Sequence, residues 1–217
     1  MSRTRGIITD AMVEEVCSRL DRGAFIDCKL EGVGRLHIDR QLPHICVHRH
    51  RSGDCDTERL LDGLAAYLKA DAQADLGKLI RAIAGNEADR FGGFLVLEIW
   101  RGSAPQESSD HPPVPGFHIH APLKNAPDRV LDTLVNALQK ITLRGRAADV
   151  KISFGNSCAP PGLPPLLEPE ETTELGCVAV GLEITPVYQD ESGNSLPFAF
   201  QAIHRGLTRA LKKTVYR

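Results

Sequence analysis

The chain has 217 residues, with Lys+Arg 26 against Asp+Glu 28 and a net charge of −2. That length buries a core without disulfides, and the even charge balance excludes a nucleic-acid binder held on by bulk charge. Charged residues at 25% and hydrophobics at 42% exclude wholesale disorder, and no apolar run approaches the roughly 20 residues that span a bilayer.

Val13, Val16, Cys17 and Leu20 recur at helical spacing, with Thr9 or Asp10 as N-cap and Gly23 closing the helix. Phe25 to Leu30 and Arg35 to Asp39 read as strands joined in a hairpin across Glu31-Gly32-Val33-Gly34. A third strand, Ile45 to Arg49, alternates with period two. Asp56 or Thr57 caps a predicted helix whose Leu60, Leu61, Leu64 and Leu68 form one stripe, and a second helix follows from about Ala74 to Ala84. Phe94 to Trp100 is the strongest strand, and its nearly continuous apolar run predicts that both faces are covered. Residues 101 to 116 read as an exposed loop.

Phe117 to Ala121 is a short strand. Pro127 then opens a helix carrying Val130, Leu131, Leu134, Val135, Leu138 and Ile141. Val150 to Phe154 reads as strand, whereas the prolines of Ala159 to Pro165 exclude regular structure. Cys177 to Val187 returns to strand, and a last helix starts near Phe198 with Ile203, Leu207 and Leu211 inward. Helices and strands mix without strict alternation. The pattern predicts an α+β protein with a mixed, mainly antiparallel sheet and amphipathic helices packed on it.

Cys17, Cys28, Cys46, Cys55, Cys158 and Cys177 show no framework spacing and no C-x-x-C pair. With no secretory apolar segment at the N-terminus, reduced thiols in a cytoplasmic protein are the expectation.

Candidate chemistry lies on strands. His44, Cys46, His48 and His50 alternate along one face, but ligands on a single straight strand diverge too far for a metal tetrahedron. A polar strand face near an edge is the simpler reading. His118-x-His120 has the same same-face geometry, and its spacing does not locate a third ligand. Glu98 and Glu183 each interrupt an apolar strand, where a carboxylate must be paired, bound to metal or facing a cleft. The two are expected on adjacent strands, as an acid/base pair or as a clamp on a shared arginine such as Arg40 or Arg49. The Gly32-x-Gly34 pair precedes no helix and belongs to a hairpin, not to a phosphate site. No stoichiometric zinc is expected on this chain.

Gly34 to Pro43, Phe94 to Trp100, Pro160 to Leu167 and Val180 to Tyr188, in that order, resemble one bacterial family. It is the flavohaemoglobin expression-modulating QEGLA-motif family, which is similar to the eukaryotic microtubule-associated tyrosine carboxypeptidases, zinc enzymes. The resemblance covers about Val16 to Arg217. The family's zinc helix, His-Glu-x-x-x-His, and its Gln-Glu-Gly-Leu-Ala segment have no counterpart here, so no family metal or catalytic residue maps onto this sequence. His44 and His48 also stand where aromatic residues are expected in relatives.

The resemblance implies that residues 1–217 are one non-catalytic N-terminal module, ending before a zinc metallocarboxypeptidase domain. The final helix, with no Gly, Asn or Pro terminator, fits a chain that continues. Zinc is then expected only in that catalytic domain, with no cofactor here. The expected partner is that domain or a second copy, docked on an exposed stripe of Phe200, Ile203, Leu207 and Leu211, with neither nucleic acid nor membrane involved. Two alternatives stand beside it: a free-standing binding or regulatory module, and an independent metal-dependent hydrolase using His118, His120 and a glutamate, or the His44 to His50 cluster.

Overall fold

The computed structural model of the chain describes residues 9–21, 26–30, 34–38, 44–49, 67–70, 77–83, 94–102, 114–122, 128–155, 158–159, 162–165, 167–175, 177–185, 188–189 and 196–215. Helix α1 is Asp10–Asp21, and the N–H of Met12 donates to Thr9 Oγ1 at 3.3 Å, as an N-cap requires. Strands β1 (Ile26–Leu30) and β2 (Gly34–Ile38) pair antiparallel with Leu30 opposite Gly34, which is the expected hairpin. β3 is His44–Arg49 and β4 is Tyr67–Ala70.

Strand β4 corrects one expectation. Leu68 was placed as the last member of a helical stripe, yet it lies in a strand between β2 and β3. Pairing on both sides outweighs a local helical period at this position. Residues 57–66 of that predicted helix lie outside the described residues. The following helix, α2, spans 77–83, and its Leu79, Ile80 and Ile83 are fully buried.

β5 (Phe94–Arg101), β6 (Gly116–Pro122), β9 (Asp149–Gly155) and β10 (Cys177–Thr185) carry the site described below. Between β6 and β9 come α3 (Asp128–Leu138) and a small hairpin of β7 (Thr142–Leu143) and β8 (Arg146–Ala147). Arg144 and Gly145 between them both take positive φ, 51° and 77°, as a tight two-residue hairpin turn demands. α4 (Pro169–Glu174) precedes β10, and the Glu168 N–H donates to Glu171 Oε2 at 2.8 Å to brace its first turn. α5 (Pro197–Val215) ends the described chain.

Eight strands form one sheet in the order β1-β2-β4-β3-β5-β10-β6-β9. β1–β2, β2–β4 and β6–β10 pair antiparallel, while β3–β4, β3–β5, β5–β10 and β6–β9 pair parallel. The protein is α+β with a mixed sheet, as expected, and four of the seven pairings in that sheet are parallel. Both faces of β5 are covered: Leu95, Leu97 and Ile99 are buried on one, Val96, Glu98 and Trp100 on the other.

On the first face Leu97, Ile99, Phe117, Ile119, Val180 and Leu182 pack under α3 and α5, which contribute Leu134, Leu138, Ile203 and Leu207. Gly206 has no side chain because Ile141 fills that space, which lets α5 lie close to the end of α3. A second expectation is corrected here. The stripe of α5 is not exposed at Ile203 and Leu207, which are buried in the chain's own core, and Phe200 packs against that core. No helix among the described residues is long and apolar enough to cross a membrane.

Candidate metal centre

β6 presents residues alternately to the two faces, so Phe117, Ile119 and Ala121 enter the core while His118 and His120 point to the other side. Antiparallel β10 lies alongside with Glu183 opposite His118 and Gly181 opposite His120. Paired residues share a face, so one carboxylate meets two imidazoles. Glu183 Oε2 is 3.2 Å from Nε2 of His120 and 3.7 Å from Nδ1 of His118.

One ligand atom from each of the three residues lies within 4.8 Å of the others. Their side chains keep 32%, 22% and 24% of their surface accessible for His118, His120 and Glu183, so the cluster is walled but open.

Each donor is held by a neighbour. His118 Nε2 is 2.6 Å from Ser153 Oγ on β9. The ring of His120 lies 5.1 Å from that of Trp100 on β5 and 4.1 Å from that of His118. Trp100 itself occupies the space that a side chain at Gly181 would take. The carboxylate of Glu183 rests against Gly102, where a Cβ would stand 2.8 Å from Glu183 Cγ. Gly102 is fixed there by its N–H, which donates to Ile184 O at 2.9 Å. Burial pushes the His118 pKa below its ordinary value; His120 and Lys151 push the same way and Glu183 opposes them. A neutral imidazole with a free lone pair is the form that binds metal.

No protein-family model matches the chain, and no curated protein matches it. Among solved structures, a "putative metallopeptidase" from Shewanella denitrificans OS217 is similar over 99% of this chain and 98% of its own, at 11% identity and a TM-score of 0.39. Isoform 2 of uridine phosphorylase from Schistosoma mansoni is similar over 81% of this chain and 88% of its own, at 12% identity and a TM-score of 0.36. Likenesses this distant carry no weight for the fold or the chemistry.

The other sequence candidates lie elsewhere. Glu98 and Glu183 do sit on adjacent parallel strands, with Glu98 level with Gly181 and Glu183 level with Trp100, so both face the same side. Among the described residues, the groups found on Glu183 are the two histidines. Glu98 is 5% exposed and lies one strand away from the cluster. Arg40 and His50 lie outside the described residues, as does the side chain of Arg49. The backbone of β3 sets His44, Cys46 and His48 level with Leu95, Leu97 and Ile99, with two strands between β3 and β6.

Sequence reasoning missed Ser153 and Gly102. The period-two pattern of Lys151 and Ser153 within β9 was the available signal for the first, and nothing local marks the second.

Proposed function

We propose that this chain binds one divalent transition metal through His118, His120 and Glu183 and uses it for metal-assisted hydrolysis. The convergence of three ligand atoms from two neighbouring strands, within 4.8 Å of one another, carries the reading. Two imidazoles and a carboxylate suit zinc, and three protein ligands leave a position open for substrate. Bound there, the metal supplies a Lewis acid that polarises a carbonyl or phosphoryl oxygen. Glu183 supplies the negative charge that offsets the cation, and the buried Trp100 beside His120 keeps water from one side. The substrate approaches from the accessible side of the two histidines.

This favours the independent hydrolase over the non-catalytic QEGLA-type module that the resemblance implies. In that module the same three residues would form a hydrogen-bonded polar cluster and nothing more. A cytoplasmic location is part of the proposal, and the free thiols of Cys17, Cys158 and Cys177 support it. The test is hydrolysis of activated esters and of peptides ending in tyrosine by the zinc-loaded chain. Turnover abolished by chelator and by His120→Ala is expected. Turnover indifferent to both would contradict the proposal.

One observation favours a second hydrolytic reading. Ser153 Oγ, His118 Nε2, His118 Nδ1 and Glu183 Oε2 follow one another in the order of a serine–histidine–carboxylate relay, at 2.6 Å and 3.7 Å. Ser153 sits inside a strand, without the sharp turn that presents a nucleophile, so the metal reading is preferred. Labelling of Ser153 by a fluorophosphonate, with activity surviving chelator, would reverse that preference.

A further inference from the structure

We infer that Ser153 is a positioning residue that holds His118 by Nε2 and so assigns Nδ1 as its metal-facing nitrogen, an inference that rests on the metal reading above. The two histidines of β6 present different nitrogens to Glu183. His120 approaches its carboxylate with Nε2 at 3.2 Å, whereas His118 turns Nδ1 toward it at 3.7 Å. The remaining nitrogen of His118 is the one at 2.6 Å from Ser153 Oγ.

An imidazole has two nitrogens, and the hydrogen bond made by one decides which is left for a metal. With metal on Nδ1, the proton of His118 is on Nε2, which donates to Ser153 Oγ. The hydroxyl proton of Ser153 is then free to point to solvent, since the residue is exposed.

The strand register explains why this serine can do it. In the parallel β6–β9 pair Lys151 is level with His118 and Ser153 with His120. Ser153 therefore lies one same-face position farther along, and its hydroxyl reaches diagonally to the far nitrogen of His118. A residue level with His118 would meet the ring side-on instead. The two imidazoles run side by side, with centroids 4.1 Å apart and planes tilted by 37°. Binding by Nε2 of both would require the His118 ring to turn over, which breaks the bond to Ser153. The site is thus a mixed chelate: Nδ1 of His118, Nε2 of His120 and the Glu183 carboxylate.

The experiment uses the full chain loaded with zinc. Two-bond proton–nitrogen spectra of the imidazoles are expected to show His118 protonated on Nε2 with Nδ1 metal-bound, and His120 in the opposite arrangement. Loss of an outer partner of a ligating histidine lowers affinity about 10–100-fold, so Ser153→Ala is expected to weaken zinc binding by at least about tenfold. Ser153→Thr keeps the hydroxyl on a strand that tolerates β-branching, and it is expected to restore most of that affinity. If the unaltered chain binds no zinc, the metal site itself falls and this inference with it. If zinc binds but His118 coordinates through Nε2, or Ser153→Ala binds as tightly as the unaltered chain, the site stands and the role of Ser153 is overturned.

Discussion

His118 is the residue whose electrostatics are most informative. Burial, His120 and Lys151 all disfavour its proton, and Glu183 only partly opposes them, so its pKa in the folded chain is below the ordinary 6.5. Above that value the imidazole is neutral in both folded and unfolded chains and contributes nothing to pH dependence. As pH falls below 6.5 the unfolded chain takes up the proton first, and stability is lost until the folded pKa is passed. The metal-free chain should therefore lose stability between pH 7 and pH 5, and His118→Gln should reduce that loss. Urea midpoints measured at the two pH values check it. Equal losses in the variant and the parent would count against the assignment.

Two glycines near the site should respond differently to the same change. At Gly102 a new methyl meets Glu183 from Cγ to the carboxylate, a flexible side chain that can swing aside as a whole. Gly102→Ala should leave stability nearly unchanged and weaken zinc binding, because the carboxylate loses its seat. At Gly181 the methyl meets the Cys158 backbone carbonyl and the Trp100 ring, neither of which can move freely. Overpacking of that kind costs about 1–3 kcal/mol, so Gly181→Ala should lower the unfolding midpoint as well. Denaturant titration beside a zinc-competition assay separates the two effects.

At the scale of elements, β5, α3 and α5 were legible because their apolar periods are long and their burial follows the period. Leu207 illustrates this: it is fully buried in the core beneath α5, and Leu207→Ala is expected to cost about 2–5 kcal/mol in equilibrium unfolding. β4 was not legible. Its four residues continue a leucine spacing from the preceding segment, and only pairing with β2 and β3 reveals a strand. The candidate site was half legible for the same reason. His118-x-His120 announces two donors on one face, and Glu183 stands out in an apolar strand. Joining them takes a pairing between residues 63 positions apart, which no local pattern carries. Ser153 went unmarked because a lone serine on a strand has no signature until its neighbour is known.

For the molecule as a whole, the parallel β5–β10 pair and the parallel β6–β9 pair run in opposite directions. The C-terminal end of β10 therefore meets the N-terminal end of β6, and the three donors gather near that end of the sheet. A ligand bridging two strands there stabilises the folded chain by mass action. Zinc at about 100 times its Kd adds about 2.7 kcal/mol, which for a chain of this size is a rise of about 5–10 °C in Tm. Glu183→Gln should abolish the rise.

The buried thiols mark the opposite extreme of reactivity. Burial pushes Cys158 and Cys177 up to about 11, so both thiols are protonated at neutral pH in the metal-free chain.

The most direct test of the metal centre is zinc content by elemental analysis after equilibrium dialysis against a zinc buffer. The account predicts one zinc per chain in the unaltered protein and none in His120→Ala or Glu183→Gln. No zinc in the unaltered protein, or equal zinc in all three, would contradict it.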